Sequence, residues 1–162
     1  GWIPSLQEAN VPFLGICYGH QLLAQAMGGK VDFHPKGKEI GTVDIHLLPE
    51  STTDPLFYAL PPRFPVHVSH SQTVLSLPPG AVRLAANDFE PNHAFRLAPC
   101  LWGVQFHPEY DTGVMASYIT EQADDLAAAG WVISERLSTV RETPVATGIL
   151  RKFARIVGLA GS

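Results

Sequence analysis

The segment Val11-Pro12-Phe13-Leu14-Gly15-Ile16-Cys17 constrains this chain more than any other. It is apolar throughout, with no polar alternation, as expected of a strand buried on both faces in a parallel sheet. Pro12 stands near its start, where a missing N–H is tolerated. In the following stretch, Tyr18 to Met27, Leu22, Leu23, Ala26 and Met27 recur at helical spacing, and Gly28-Gly29 suits a helix C-cap. A buried strand leading straight into a helix points to an α/β fold. Cys17 falls at the joint.

The rest of the chain adds strands and then helices. Ile40 to Leu48 alternates, with Val43, Ile45 and Leu47 on one face. Asp54 to Leu60 is expected to form a short helix opened by Asp54, with Pro55 in its first position. Phe64 to Val68, Ala81 to Ala86, His93 to Leu97 and Leu101 to Phe106 read as strands, punctuated by Pro61-Pro62, Pro78-Pro79-Gly80 and Pro91. Trp2 to Asn10 reads as the tail of a helix. Met115, Ile119, Gln122 and Leu126 form one stripe that Gly130 closes, and Val145, Ile149, Phe153 and Ile156 mark a helix after Pro144.

Composition narrows the class further. The 162 residues are 46% hydrophobic and 16% charged, a globular balance. A net charge of −4 gives no electrostatic case for nucleic acid or an anionic membrane as partner. The apolar runs are too short to span a bilayer. Gly1-Trp2-Ile3-Pro4 lacks the basic-then-apolar pattern of a signal peptide. Two cysteines, Cys17 and Cys100, have no metal-type spacing and read as reduced thiols of a cytoplasmic protein. Cys100, in a Pro-Cys-Leu turn, reads as structural.

Two blocks carry the chemistry. In Gly15-Ile16-Cys17-Tyr18-Gly19 a nucleophile is flanked by glycines between strand and helix, the pattern of a nucleophile elbow. Gly15 and Gly19 are both expected where a Cβ would crowd the approach of strand and helix. The helix N-terminus favours a thiolate, and the Tyr18 backbone N–H is aimed at a developing oxyanion. The competing reading of Cys17 is a small buried hydrophobe at a strand end. In Gly103-Val104-Gln105-Phe106-His107-Pro108-Glu109-Tyr110 a strand ends in His-Pro-Glu. A thiol needs a general base, and the imidazole needs a group that fixes its tautomer. Two residues apart in extended chain, Glu109 and His107 point the same way. A His-x-Glu metal site lacks a third ligand with suitable spacing.

Gly-Ile-Cys-Tyr-Gly-His-Gln followed by Gly-Val-Gln-Phe-His-Pro-Glu resembles the two signature blocks of the class I (triad) glutamine amidotransferases. Glu39-Ile40-Gly41-Thr42 and Ser69-His70-Ser71-Gln72 resemble the stand-alone branch related to the amidotransferase domain of GMP synthase. The likeness runs from about Val11 to Tyr110. It implies a three-layer, flavodoxin-like α/β fold: a largely parallel central sheet flanked by helices, with antiparallel strands around residues 64 to 106. It implies a triad of Cys17, His107 and Glu109 that hydrolyses the amide of glutamine through a thioester on Cys17. Gln21, one helical turn beyond Cys17, and Ser69, His70, Ser71 and Gln72 would hold the substrate. No cofactor and no metal are implied. The ammonia would pass to an acceptor, with a synthetase as the partner that supplies it.

The family domain usually opens with strands and a glycine-containing loop that supplies a second oxyanion donor. Only sixteen residues precede Cys17. The resemblance therefore implies a single domain over residues 1–162 that lacks its N-terminal part and hydrolyses glutamine poorly alone. Two other readings remain open from the residues. One is a γ-glutamyl peptidase or hydrolase with the same triad; the other is a catalytically impaired binding or regulatory module.

Overall fold

The computed structural model describes residues 1–158. Helix α1 (Trp2–Glu8) leads to strand β1 (Phe13–Ile16) and helix α2 (Tyr18–Ala26). Strands β2 (Lys30–Phe33) and β3 (Glu39–Leu47) follow, then a 3₁₀ turn at Pro49–Thr53. Next come β4 (Arg63–His70), β5 (Gln72–Ser76), β6 (Val82–Ala86), β7 (Ala94–Leu97) and β8 (Leu101–Val104). Four helices complete the described chain: α3 (Thr112–Glu121), α4 (Ala123–Ala128), α5 (Ile133–Ser138) and α6 (Pro144–Ile156).

Six strands form the main sheet in the order β1-β8-β7-β6-β3-β4, and β2 pairs with β5 in a small second sheet. The helix-flanked α/β architecture is as the sequence implies, but its parallel share is smaller than expected. Among the described residues only β1 and β8 run parallel, with Phe13 opposite Leu101 and Ile16 opposite Val104. The remaining pairings are antiparallel. Connection length explains the difference. Only residues 98–100 join β7 to β8, too few for the crossover a parallel neighbour needs. Most of the sheet is thus the antiparallel addition expected around residues 64 to 106.

The apolar stripes behave as their periods predict. Ile45, Phe64, Val66, Val68, Leu84, Trp102 and Val104 share one core with Ala146 and Ile149 of α6. Leu23 and Ala24 of α2 pack with Ile3, Val74, Phe95 and Leu101 in a second. Met115, Ile119 and Leu126 close over Ile40 in a third. These clusters clamp both ends of the Cys17 segment, α2 lying against β1 and β8.

Two local expectations need correction. Residues 55–59 form turns, not a helix. Asp54 does cap them, its Oδ2 accepting from the N–H groups of Leu56 (2.9 Å) and Phe57 (3.0 Å). Ala59 then takes a left-handed φ of 61°, and Pro61-Pro62 denies any continuation. The second concerns the glycines of the elbow. A Cβ on Gly15 would lie 2.4 Å from the Gly19 carbonyl oxygen, whereas one on Gly19 would meet nothing within 4 Å. The crowding is one-sided because the backbone of Gly19 is itself what Gly15 meets.

Candidate active site

Cys17 stands between β1 and α2 with φ 51° and ψ −99°, a conformation that L-residues rarely adopt. Its backbone is held on both sides: the Cys17 N–H donates to the Val104 carbonyl at 2.8 Å, and the Cys17 carbonyl accepts from Gln21 N–H at 3.1 Å. The turn pushes the side chain out of the strand and leaves it half-buried. Tyr18 is the first helical residue, so its N–H has no partner within the helix. The Tyr18 ring is 73% exposed, leaving that residue's contribution here to its backbone.

His107 arrives from the other side of the chain. Its N–H donates to the His67 carbonyl at 2.8 Å, which ties the end of β8 to β4. Nδ1 meets the Glu109 carboxylate at 3.1 Å (Oε2) and 3.2 Å (Oε1), and the ring is near enough to the Cys17 sulfur for that group to favour its charged form. Burial pulls the imidazole down, but the nearby Cys17 sulfur and the Glu109 carboxylate outweigh it and lift the pKa from 6.5 to about 9. The Glu109 carboxyl is pushed up by partial burial, yet its bond to His107 holds it below the usual range. Tyr110 stacks flat on the imidazole, centroids 4.0 Å apart and planes 7° apart. Tyr118 backs Tyr110 in turn at 5.1 Å. The ring of His107 is thus fixed by a carboxylate at its edge and an aromatic face.

Gln21 is 7% exposed, so it is not a solvated helix residue. Its Nε2 donates to the Gln72 carbonyl (2.9 Å) and to Gln105 Oε1 (3.2 Å). Gln105, fully buried, donates from Nε2 to the Cys17 sulfur at 3.5 Å. The thiol also faces the Ser69 carbonyl at 3.8 Å. Ser69 and His70 end β4, Ser71 is a one-residue break, and Gln72 opens β5. The chain therefore crosses from the main sheet to the small one beside the cysteine. Ser69, His70, Ser71 and Gln72 are brought to the same place as Cys17, Tyr18, Gln21, His107 and Glu109.

Behind this crossing lies a buried polar knot. Glu39 Oε1 accepts from His70 Nε2 at 2.7 Å and lies 3.1 Å from His93 Nε2; its Oε2 accepts from Asn87 Nδ2 at 2.8 Å. Burial pushes the Glu39 carboxyl up, but these hydrogen bonds outweigh it and hold it well below the usual carboxylate range. His20, fully buried against Phe95 and beside His93, is driven down to about 3 by burial and stays neutral. It packs against Phe95, ring centroids 5.0 Å apart. Among the described residues, no group of three or more His, Cys, Asp or Glu side chains is arranged to hold a metal ion.

The family model for glutamine amidotransferase class-I matches residues 2–125. The chain belongs to the class I glutamine amidotransferase family. A glutamine-hydrolyzing GMP synthase of Thermosipho melanesiensis is 35% identical over 160 residues, covering 94% of this chain and 29% of that protein. A glutamine-hydrolyzing GMP synthase subunit of Thermococcus kodakarensis is 44% identical over 103 residues, covering 63% of this chain and 53% of that one. The crystal structure of a glutamine amidotransferase from Thermotoga maritima superposes with a TM-score of 0.79 at 30% identity, covering 96% of this chain and 66% of that chain. The chain thus spans about half the length of the Thermococcus relative and under a third of the longer Thermosipho synthase. No helix among the described residues is long and apolar enough to cross a membrane.

Within this class I amidotransferase site, residue-by-residue reading of the sequence misses Gln105, Tyr110, Glu39, His93 and Asn87. For Gln105 the strand alternation gives no guide, because β8 ends at Val104 and residues 105–109 run through bends and a turn. For Glu39 and His93 no local signal exists, since nothing in either segment announces the other.

Proposed function

We propose that this chain hydrolyses the side-chain amide of glutamine through a thioester on Cys17, releasing glutamate and ammonia. The observation that carries this reading is a strained, half-buried cysteine at a helix N-terminus, electrostatically coupled to an imidazole that a carboxylate orients. Family membership supports the reaction class, and relatives named for glutamine hydrolysis support the substrate.

The steps follow from the contacts. The thiol proton passes to His107, whose raised pKa favours holding it. The sulfur attacks the amide carbonyl carbon, and the Tyr18 N–H donates to the oxyanion. As the C–N bond breaks, His107 returns its proton to the departing nitrogen, which leaves as ammonia. Water then gives a proton to His107 and adds to the thioester; the C–S bond breaks and glutamate departs. Glu109 holds the imidazole throughout. Gln21 and the Ser69–Gln72 crossing hold the amino-acid end of the substrate. The relatives named as GMP synthase subunits, from Thermococcus kodakarensis and Pyrococcus abyssi, support a separate synthetase partner that consumes the ammonia. A reduced Cys17 fits a cytoplasmic setting.

Release of glutamate and ammonia from glutamine, compared between the wild type and Cys17→Ser, tests the reading. Replacement of the nucleophile is expected to cost at least about 10³-fold. Undiminished turnover in that variant overturns the proposal. Free glutamine is expected to be cleaved in preference to a γ-glutamyl dipeptide, and the reverse preference would reassign the substrate.

A further inference from the structure

The buried knot behind the substrate crossing has a directional geometry. His70 is 5% exposed and wedged between two acceptors: Nδ1 lies 2.8 Å from the Gln72 carbonyl and Nε2 2.7 Å from Glu39 Oε1. A carbonyl oxygen only accepts, so Nδ1 carries a hydrogen. A carboxylate oxygen also only accepts, so the ring that satisfies both sides carries a hydrogen on each nitrogen. Glu39 is itself fixed by Asn87 and lies beside His93. A buried pair of this kind is a weak source of stability, but it locks geometry.

What it locks is the Gln72 carbonyl, which takes hydrogen bonds from both His70 Nδ1 and Gln21 Nε2. Both amide hydrogens of Gln21 are thereby engaged, one on Gln72 and one on Gln105 Oε1. Only Gln21 Oε1 remains to face a ligand, and it can only accept. Apart from the amide under attack, the group on glutamine that donates is its α-ammonium. If the Gln72 carbonyl moved, the Gln21 amide could turn over and present N–H groups to that cation.

We propose that Glu39 is a positioning residue for the substrate: through His70 it fixes the Gln72 carbonyl, and through that carbonyl the orientation of the Gln21 amide beside Cys17. The inference rests on the glutamine-hydrolysis reading above. It concerns a residue that touches neither the sulfur nor the substrate, so its effect is confined to reagents that carry the amino-acid end of glutamine.

Alkylation of Cys17 in the full chain separates the two claims. Two reagents are compared: the diazo-ketone analogue of glutamine, which carries the α-ammonium, and iodoacetamide, which does not. Wild type that reacts no faster with the diazo-ketone than free thiols do would overturn the functional reading itself. Given selective labelling in wild type, Glu39→Ala is expected to slow the diazo-ketone reaction roughly 10–100-fold and leave the iodoacetamide rate unchanged. Glu39→Gln is expected to restore the rate to within about threefold, because its amide donates to Nε2 of a His70 ring that keeps its Nδ1–H on Gln72. If Glu39→Ala gives no folded protein by thermal melting, Glu39→Met replaces it as the test; it keeps the side-chain volume, removes the acceptors facing His70 and Asn87, and is expected to show the same selective loss. A wild-type diazo-ketone rate in the folded variant, or an equal loss with both reagents, overturns the proposal.

Discussion

At the residue scale the site is a set of groups whose partners decide their charge. His107 is the clearest instance. Burial alone would lower its pKa, so the value of about 9 measures how strongly Cys17 and Glu109 favour the charged ring. Because the pKa is raised, the protonated form persists from neutral pH up to about 9 and is lost above it. In the proposed mechanism that form delivers the proton to the departing nitrogen, so kcat/KM for glutamine is expected to fall as pH rises through about 9. Glu109→Gln removes one of the two favourable partners, so the alkaline limb should move toward the ordinary histidine range. A pH–rate profile checks this; the variant should lose at least about tenfold at alkaline pH relative to wild type. An unmoved limb would remove Glu109 from control of the imidazole. Cys17, His107 and Glu109 are legible in the sequence because each lies in a short pattern whose chemistry is local. Gln105 and Glu39 are not, because their partners lie 88 and 31 residues away and only the fold joins them.

At the scale of elements, the elbow depends on how closely β1 can approach α2. With the Gly19 carbonyl 2.4 Å from an added Cβ, Gly15→Ala forces backbone to move against backbone. Overpacking of this kind costs about 1–3 kcal/mol or more, and here it displaces Cys17 as well. Gly19→Ala meets nothing within 4 Å and should leave stability within about 0.5 kcal/mol. Urea denaturation of the two variants checks the asymmetry, which the symmetric Gly-x-Cys-x-Gly pattern does not reveal. Asp54 makes a second point about elements. Its carboxylate caps Leu56 and Phe57, accepts from Arg96 Nε at 2.7 Å and from Trp102 Nε1 at 3.1 Å, and is fully buried. Asp54→Ala strips several buried donors at once and leaves the Arg96 charge unpaired, an expected loss of about 3–5 kcal/mol in the same measurement. The local capping signal is correct, while the helix it suggests is overruled by those long-range partners and by Pro61-Pro62. Strands β2 and β5 escape a reading of the sequence for a related reason. Lys30, Asp32 and Phe33 are exposed, so β2 lacks a clean alternation, and its Val31 is matched only by Val74 across the pair.

At the scale of the molecule, the parallel expectation and its outcome show what one strand can tell. The unalternating apolar run correctly announces β1 and its parallel pairing with β8, but not burial on both faces: β1 is the edge strand of the main sheet, and Phe13, Leu14 and Ile16 are only partly buried. The run cannot announce how many other strands run parallel, because that depends on connection lengths elsewhere in the chain. The resulting sheet is not an independent platform with helices attached. Ile149 of α6 is fully buried in the same core as Val66, Val68, Trp102 and Val104, and Phe153 meets Trp102 edge-on with centroids 6.2 Å apart. The strands that carry Ser69–His70 and lead into His107 therefore share a core with α6. Ile149→Ala should leave a cavity and cost about 2–5 kcal/mol. If the core is shared as described, that loss lowers the urea midpoint of one transition with an unchanged slope, because helix and sheet unfold together. An α6 that merely leaned on the sheet would instead melt in a separate early step and reduce the slope of the main transition. Far-ultraviolet circular dichroism followed beside tryptophan fluorescence distinguishes the two. Coincident curves for both probes are expected in wild type and variant, since Trp102 lies within the core that Ile149 fills.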